Sequence, residues 1–212
     1  MIRHFIFCFL SIFLLGCNNI THNEDIESIK AGIDTSNTSL ERQKEKDTLK
    51  LNIDSPGEFI SEIDCQLIAR KEDADIFTDG IERGISIENT QKDISRLIQP
   101  NEKVLSYESI ILIIDYPLKD YVTFPIKVRK NGFSRKELLL EISKIYHQLY
   151  TDEENTATVK TLPMKDRDIM NRNETNGKYG IWGHDLVDLV LNSIKIFKNS
   201  KGQIYLTLDI DS

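Results

Sequence analysis

The chain has 212 residues, with 27 Lys and Arg against 34 Asp and Glu, which gives a formal net charge of −7 at pH 7. This acidic balance argues against a nucleic-acid-binding protein, because contacts to phosphate depend on surfaces rich in Lys and Arg. It also argues against binding to anionic lipid headgroups through the folded part. Solubility explains the charge most simply, although a basic protein partner would also fit it.

The N-terminus has a short charged region, an apolar run and a cysteine. Arg3 and His4 precede an apolar run at residues 5–15, which ends two residues before Cys17. This run is too short for a membrane-spanning helix, which needs about 20 apolar residues, and is typical of a secretory signal. The sequence "LLGC" resembles a bacterial lipobox, and that resemblance implies cleavage before Cys17 and attachment of lipid to it. We therefore expect residues 1–16 to be a signal peptide and Cys17 to anchor the mature protein in the cell envelope.

The composition after the signal peptide divides the mature chain into two parts. Residues 17–47 contain Cys17 and a polar, charged stretch without aromatic side chains, which is typical of a flexible tether. Residues 48–212 have the length and apolar content of one globular domain. Asn18 stands where an Asp would resemble an inner-membrane retention signal, so we expect the anchor to lie in the outer membrane.

The three cysteines predict no internal disulfide in the mature protein. Cys8 lies in the signal peptide and Cys17 takes the lipid, so Cys65 is left alone. A single cysteine of this kind is most simply a small, buried apolar side chain.

The globular part begins with one predicted strand and one predicted helix. Apolar and polar residues alternate over 49–53, which predicts a half-buried strand. The pattern over 55–68 predicts a helix, because Ser55 can cap it, Pro56 suits its first position and Glu58 completes a capping box.

The middle of the chain reads mainly as strands. A short strand is predicted at 84–88 and a short helix over 90–99. The continuous aliphatic run inside 107–115 predicts a strand covered on both faces. Residues 121–128 are its expected partner, and Pro125 places that partner at a sheet edge or a bulge, because proline cannot donate to a strand ladder.

The best-defined helix is predicted over 134–150. Ser134 and Glu137 form a capping box, and Phe133 and Leu138 occupy the positions of a hydrophobic staple. The long polar stretch 151–178 comes next and predicts an irregular loop, which at that length is either functional or mobile.

The stretch "GKYGIWGHDLVDLVL", residues 177–191, contains the single Trp of the chain. Asp185 can cap a helix here, and Asp188 can return to the backbone of the cap residue. The apolar residues after the cap cover nearly the whole circumference of such a helix, so we expect it to be buried on more than one side. Trp182 is expected to plug the core beneath the glycines, and residues 203–210 are predicted as the last strand.

These elements together predict one α+β domain over 48–212. We expect a mixed or antiparallel sheet of about four to five strands with helices packed on it.

A metal-assisted hydrolase is one functional hypothesis. His184 and Asp188 are four residues apart, which on the predicted helix would place them on one face beside Asp185, as metal ligands can be. Further oxygen ligands could come from Glu153, Glu154, Asp166 and Asp168. No second His stands nearby to complete a zinc set, and the HExxH and calcium-loop patterns are absent. We therefore expect no resident metal or cofactor.

A second set of residues is a candidate for binding. Asp115 ends a buried strand, where a carboxylate can be functional, although an Asp that initiates the turn into Tyr116 and Pro117 is the simpler interpretation. The other binding candidates are Glu153, Glu154 and Trp182.

Three stretches resemble a group of bacterial proteins found mainly in Bacteroidota. They are "IIDYPL", "NGFSRKELLLEISKIYHQLYTDEE" and "NGKYGIWGHDLVDLVL", of which "YGIWGHDL" is the most specific. The similarity covers about residues 80–212. It implies a shared fold unit and no particular chemistry.

The sequence favours a lipid-anchored envelope protein that acts by binding, with another protein as the expected partner and no role for nucleic acid. A specific version is an immunity-type lipoprotein that blocks a toxin arriving in the envelope, since acidity would suit a basic toxin surface. The alternatives are the hydrolase that uses His184, Asp185 and Asp188, and a purely structural envelope lipoprotein.

Overall fold

The computed structural model describes residues 56–127, 131–162, 164–166 and 173–212. The predicted signal peptide, Cys17, the tether and the strand at 49–53 lie outside these ranges. Within them the chain has the predicted α+β architecture, with a mixed sheet and helices. No described helix combines the length and the apolar character needed to cross a membrane.

The described strands and helices alternate irregularly along the chain. The strands are β1 (Glu58–Asp64), β2 (Gln66–Ile68), β3 (Ile81–Arg83), β4 (Ile85–Ser86), β5 (Lys103–Leu105), β6 (Ser109–Ile114), β7 (Val122–Lys127), β8 (Phe133–Ser134), β9 (Val190–Lys198) and β10 (Ile204–Asp211). The helices are α1 (Thr90–Asp93) and α2 (Arg135–Thr156). Single 3-10 turns lie at Lys71–Asp73, Ile94–Arg96, Met164–Asp166 and Leu186–Asp188.

The main sheet of the described ranges has six strands, in the order β1-β9-β10-β6-β7, with β4 also paired to β9. β10 runs parallel to β6, and the other pairs in this sheet are antiparallel. β6 and β10 therefore end at the same end of the sheet, where β7 and β9 begin. This end carries the turn after β6 and the start of β9, and it positions the candidate site.

The core lies between α2 and one face of the main sheet. Leu138, Ile142 and Leu149 of α2 are fully buried and belong to the same apolar cluster as Leu112 and Leu206 of the sheet. Each such side chain contributes roughly 1.5–3 kcal/mol relative to an exposed one. Cys65 is buried as expected, and its burial raises the pKa of the thiol to about 12, so the thiol stays protonated.

The predicted helix over 134–150 is confirmed as α2, and it extends beyond the predicted end. The capping box is present, and the Ser134 backbone N–H donates to the Glu137 carboxylate at 2.8 Å. The helix continues to Thr156, so the first residues of the predicted loop at 151–178 are helical. This extension places Glu153 on a rigid element.

The helix predicted over 55–68 is wrong. The chain forms β1 and β2 there, and β1 pairs antiparallel with β9 so that Ile63 lies opposite Ile194. The apolar residues do not share one buried face, because Ile63 is buried while Phe59 is 53% exposed. Pairing with β9 therefore overrides the local capping pattern.

The long helix predicted from Asp185 is also wrong. Asp185 caps a single 3-10 turn, Leu186–Asp188, and the chain then enters β9. A strand that is covered on both faces is apolar on both of them, and its sequence resembles that of a helix that is buried all round. β9 lies between β1 and β10, and consecutive residues such as Ile196 and Phe197, which point to opposite faces of the sheet, are both buried.

The other predicted strands are confirmed with shifted ends. The predictions at 84–88, 107–115, 121–128 and 203–210 correspond to β4, β6, β7 and β10. β7 ends the described strand order and contains Pro125, as expected from the missing N–H of proline. The short helix predicted from residue 90 is α1, which continues as a 3-10 turn to Arg96.

Candidate functional site

The candidate site is built by residues 173–188, here called the Trp182 segment. Its backbone pairs with the turn after β6: the Trp182 N–H donates to the Pro117 carbonyl at 2.8 Å, and the Lys119 N–H donates to the Gly180 carbonyl at 2.8 Å. The segment also folds on itself, since the Gly183 N–H donates to the Asn173 carbonyl at 2.8 Å. These bonds hold Trp182 in a fixed backbone position at one end of the sheet.

Glu153 anchors the inner side of the Trp182 segment to α2. Its residue is 2% exposed. Its carboxylate accepts hydrogen bonds from the Thr175 hydroxyl, from the Gly177 N–H at 2.8 Å and from the Tyr179 N–H at 2.7 Å. Burial raises the pKa of Glu153, but the hydrogen bonds outweigh it and hold the pKa below its ordinary value. Glu153 is therefore a charged anchor for backbone N–H groups.

The Thr175 hydroxyl and Gly177 complete this anchor. The Thr175 hydroxyl donates to Glu153 and accepts the N–H of Ile181 at 2.7 Å. Glu153 therefore also fixes, through Thr175, the backbone of the residue before Trp182. A Cβ atom at position 177 would lie 2.7 Å from the carboxyl carbon of Glu153. Gly177 is thus required for the close approach of backbone to carboxylate.

His184 lies in an aromatic cluster behind Trp182. The residue is 3% exposed, and its ring centroid is 5.7 Å from that of Trp182 and 5.4 Å from that of Tyr116. The distance between His184 Nε2 and the Tyr116 hydroxyl is 3.0 Å, and the Tyr116 hydroxyl lies 2.6 Å from the Ser212 hydroxyl. The Tyr150 hydroxyl donates to the His184 carbonyl at 3.0 Å. Both the ring and the backbone of His184 are therefore held by tyrosines.

Asp185 and Asp188 form a reciprocal cap. The Asp188 carboxylate accepts the Asp185 N–H at 2.7 Å, and the Asp185 side chain accepts the backbone N–H of Asp188. The predicted capping box is therefore present, although it begins a single 3-10 turn. Since that turn replaces the predicted helix, His184 and Asp188 do not share a helical face.

Trp182 is not the buried plug that the sequence predicts. It is 46% exposed, whereas its neighbours Ile181, Gly183 and His184 are buried. Val187, in the same segment, is 55% exposed. The Trp182 segment therefore presents two large apolar side chains to solvent from a backbone held by hydrogen bonds.

The remaining predicted site residues do not converge on His184. Asp115 is exposed after β6, and its carbonyl accepts the Leu118 N–H at 2.9 Å, as the turn interpretation predicts. Glu154 is exposed and forms an ion pair with Lys160 at 3.2 Å. Asp166 is exposed in the 3-10 turn Met164–Asp166. Asp168 lies outside the described residues.

A cleft of about 370 Å³ runs beside the end of α2 and is lined in part by Glu153, Glu154 and Asp185. It brings three of the predicted residues together, but Glu153 and Asp185 are engaged there in holding backbone N–H groups. In the described ranges, no three His, Cys, Asp or Glu side chains are grouped so that they could hold a metal ion. The site therefore consists of a backbone segment held by hydrogen bonds, with the apolar side chains of Trp182 and Val187 exposed on its surface.

Sequence reasoning missed the tyrosines that build this site. The Tyr146 hydroxyl donates to the Tyr116 carbonyl at 2.9 Å, and Tyr150 holds His184. In the sequence Tyr146 and Tyr150 belong to the apolar stripe of a helix, so no local signal separates them from core residues. No protein-family model, curated protein or solved structure matches this chain.

Proposed function

We propose that this protein is a lipid-anchored cell-envelope protein that acts by binding another protein through the surface around Trp182. The observation that carries the proposal is the exposure of Trp182, the single Trp of the chain, on a backbone fixed by hydrogen bonds. An immunity-type lipoprotein that blocks a toxin in the envelope is a specific version of this function.

An exposed Trp on a fixed backbone is suited to binding. Trp offers a large contact area with few rotatable bonds, so little conformational entropy is lost when it is covered. Residues of this type dominate the binding energy of many protein interfaces. Because the backbone of the Trp182 segment is already held by Glu153 and by the turn after β6, its ordering adds little to the cost of binding.

The envelope location in the proposal rests on Cys17 and the lipobox pattern before it. We expect Cys17→Ser to lose its lipid, because this substitution removes the thiol that the lipobox pattern predicts to carry it. The measurement is labelling of cells that express the full chain with radioactive palmitate, followed by purification of the protein. Wild-type protein labelled in the same way is the control, and a Cys17→Ser protein that still carries palmitate would contradict the anchor.

Site-specific photocrosslinking tests the binding function. Benzoyl-phenylalanine replaces Val187 in the full-length chain, and the cells are irradiated intact. A matched probe replaces Ile76, which is 73% exposed in the loop between β2 and β3. We expect a discrete adduct with another protein from position 187 and none from position 76.

The dependence on Trp182 is tested with Trp182→Leu, which keeps an apolar side chain against His184. A contact that dominates an interface contributes about 2 kcal/mol or more, or roughly thirtyfold in affinity, so the adduct should become weak or disappear. An adduct of unchanged yield in Trp182→Leu, or equal labelling from position 76, would rule out this surface.

A further inference from the structure

Resting on the proposed function, we infer that the partner presents a basic protein surface to the Trp182 segment. The fold places many carboxylates at the end of the sheet where β6 and β10 finish and β7 and β9 begin. These residues, here called the acidic end, are Asp115, Asp120, Asp185, Asp188, Asp209 and Asp211. Asp115 and Asp120 flank the turn that binds the Trp182 segment, and Asp209 and Asp211 lie on β10.

Two lysines lie beside the turn that carries Asp115 and Asp120, and both form ion pairs. Lys119 forms an ion pair with Glu174 at 3.0 Å, and Lys178 forms one with Asp152 at 2.9 Å. Each of these lysines is paired with a carboxylate outside the acidic end, and Asp120 makes a smaller contribution than Glu174 to the raised pKa of Lys119. Asp115 and Asp120 are exposed, and no Lys or Arg of the described ranges forms an ion pair with either of them.

The opposite end of the sheet has a different charge distribution. Lys127 ends β7, Lys198 ends β9, and Lys201 lies in the turn between β9 and β10; all three are exposed. Glu58 and Glu108 lie near them and are also exposed. Because this end mixes both signs, the end that carries Trp182 is the more acidic of the two ends of the sheet.

The exposed apolar side chains are an observation independent of this charge. Trp182 and Val187 project from the Trp182 segment at the acidic end. An apolar anchor with a charged rim is the usual anatomy of a protein interface, in which the anchor supplies affinity and the rim supplies attraction and selectivity. The complementary surface is basic, with a recess that accepts an indole ring.

The same charges exclude other occupants of this surface. Nucleic acid and anionic lipid both carry phosphates, which the carboxylates of the acidic end would repel. A basic protein is attracted over a distance of about 10 Å at moderate salt, the range within which charges are not screened. The partner is therefore identified by its chemistry as a protein with a cluster of Lys and Arg around an apolar recess.

The test uses the full-length chain with the crosslinker at position 187. Asp115→Asn and Asp120→Asn are combined, which removes two exposed charges with little change of shape. The matched control combines Glu58→Gln and Glu108→Gln, which removes two exposed charges from the opposite end. Melting temperatures of both double variants are measured beside the wild type.

We expect the yield of the Trp182-dependent adduct at limiting irradiation to fall roughly tenfold in the Asp115→Asn/Asp120→Asn variant and to stay unchanged in the control. Raising NaCl from about 0.05 M to about 0.5 M on isolated envelopes should lower the wild-type yield towards that of the variant, because salt screens exposed charges. Mass spectrometry of the adduct should identify a protein with an excess of Lys and Arg.

The outcomes separate this inference from the proposed function. A Trp182-dependent adduct that is insensitive to salt and to both double variants, or whose captured protein is acidic, overturns the basic partner and leaves the binding function standing. The absence of any Trp182-dependent adduct overturns both.

Discussion

The Trp182 segment is held at its two ends by carboxylates in different surroundings. Glu153 is buried under the segment and accepts three hydrogen bonds from it, two of them from backbone N–H groups. Asp185 and Asp188 are half-buried at the other end and hold one another's backbone N–H groups. Loss of a carboxylate should therefore lower the free energy of unfolding more at the Glu153 end than at the Asp185 end. Water can replace the lost acceptor only where it can reach the N–H groups.

The largest effect is expected from Glu153→Ala. This substitution leaves donors of Thr175, Gly177 and Tyr179 without their acceptor in a buried place, so we expect a loss of about 3 kcal/mol in the free energy of unfolding. The measurement is urea unfolding of the full chain, monitored by tryptophan fluorescence. Glu154→Ala is the matched control, because its exposed side chain should change stability by less than about 0.5 kcal/mol. Equal losses for the two variants would contradict the anchor role of Glu153.

Acidification should remove the contribution of the Glu153 carboxylate to the free energy of unfolding. The pKa of Glu153 is lowered in the fold by its hydrogen bonds, although burial opposes this, while an unfolded Glu has a pKa near 4.5. A carboxylate whose pKa is depressed by folding stabilises the protein above the unfolded value, and that contribution is lost as pH falls through the folded value. We therefore expect the free energy of unfolding to fall below about pH 4.5 more steeply in wild type than in Glu153→Gln.

Glu137 is a second carboxylate whose pKa is lowered in the fold, so its effect must be separated from that of Glu153. The Ser134 backbone N–H and hydroxyl lower the pKa of Glu137 to about 2, so its contribution is also lost in acid. This loss is common to wild type and Glu153→Gln, so the difference between the two curves isolates Glu153. Parallel curves would show that the carboxylate charge of Glu153 contributes nothing to the fold.

A smaller effect is expected at the other end. Asp185→Ala should destabilise the protein by about 1 kcal/mol, the usual cost of a lost cap, and Asp185→Ser should recover most of it. Thermal unfolding with and without a chelator is the measurement, with His184→Ala as a further variant. A chelator that destabilises the wild type, with Ser no better than Ala, would contradict the cap and favour the metal-assisted hydrolase.

Local signals in the sequence were sufficient for some elements. The α2 start was predicted because Ser134 and Glu137 are only three residues apart, and such a capping box depends on little outside the helix. The Asp185 and Asp188 cap was predicted for the same reason, although the strand β9 beyond it was not. β6 was predicted because its short aliphatic run is typical of a strand covered on both faces. β7 was predicted as its partner at a sheet edge, because a strand tolerates proline there.

Other elements could not be read from local sequence. Residues 58–64 carry a plausible helix start, but β9 offers them a partner strand some 130 residues further along the chain, as the Ser193 bond to Glu62 shows. β9 itself is apolar on both sides, and this pattern fits a buried helix and an interior strand equally well. Strand pairing between distant segments decided both cases.

Local periodicity, capping and composition were enough to establish the α+β class, the main helix and the acidic balance of the chain. The exposure of Trp182, the anchoring of its loop by Glu153 and the collection of carboxylates at one end of the sheet became visible only in the folded molecule. Glu153 lies 22–26 residues from its donors, and the acidic end joins four strand ends. Such contacts depend on how distant segments pack, which no local pattern encodes.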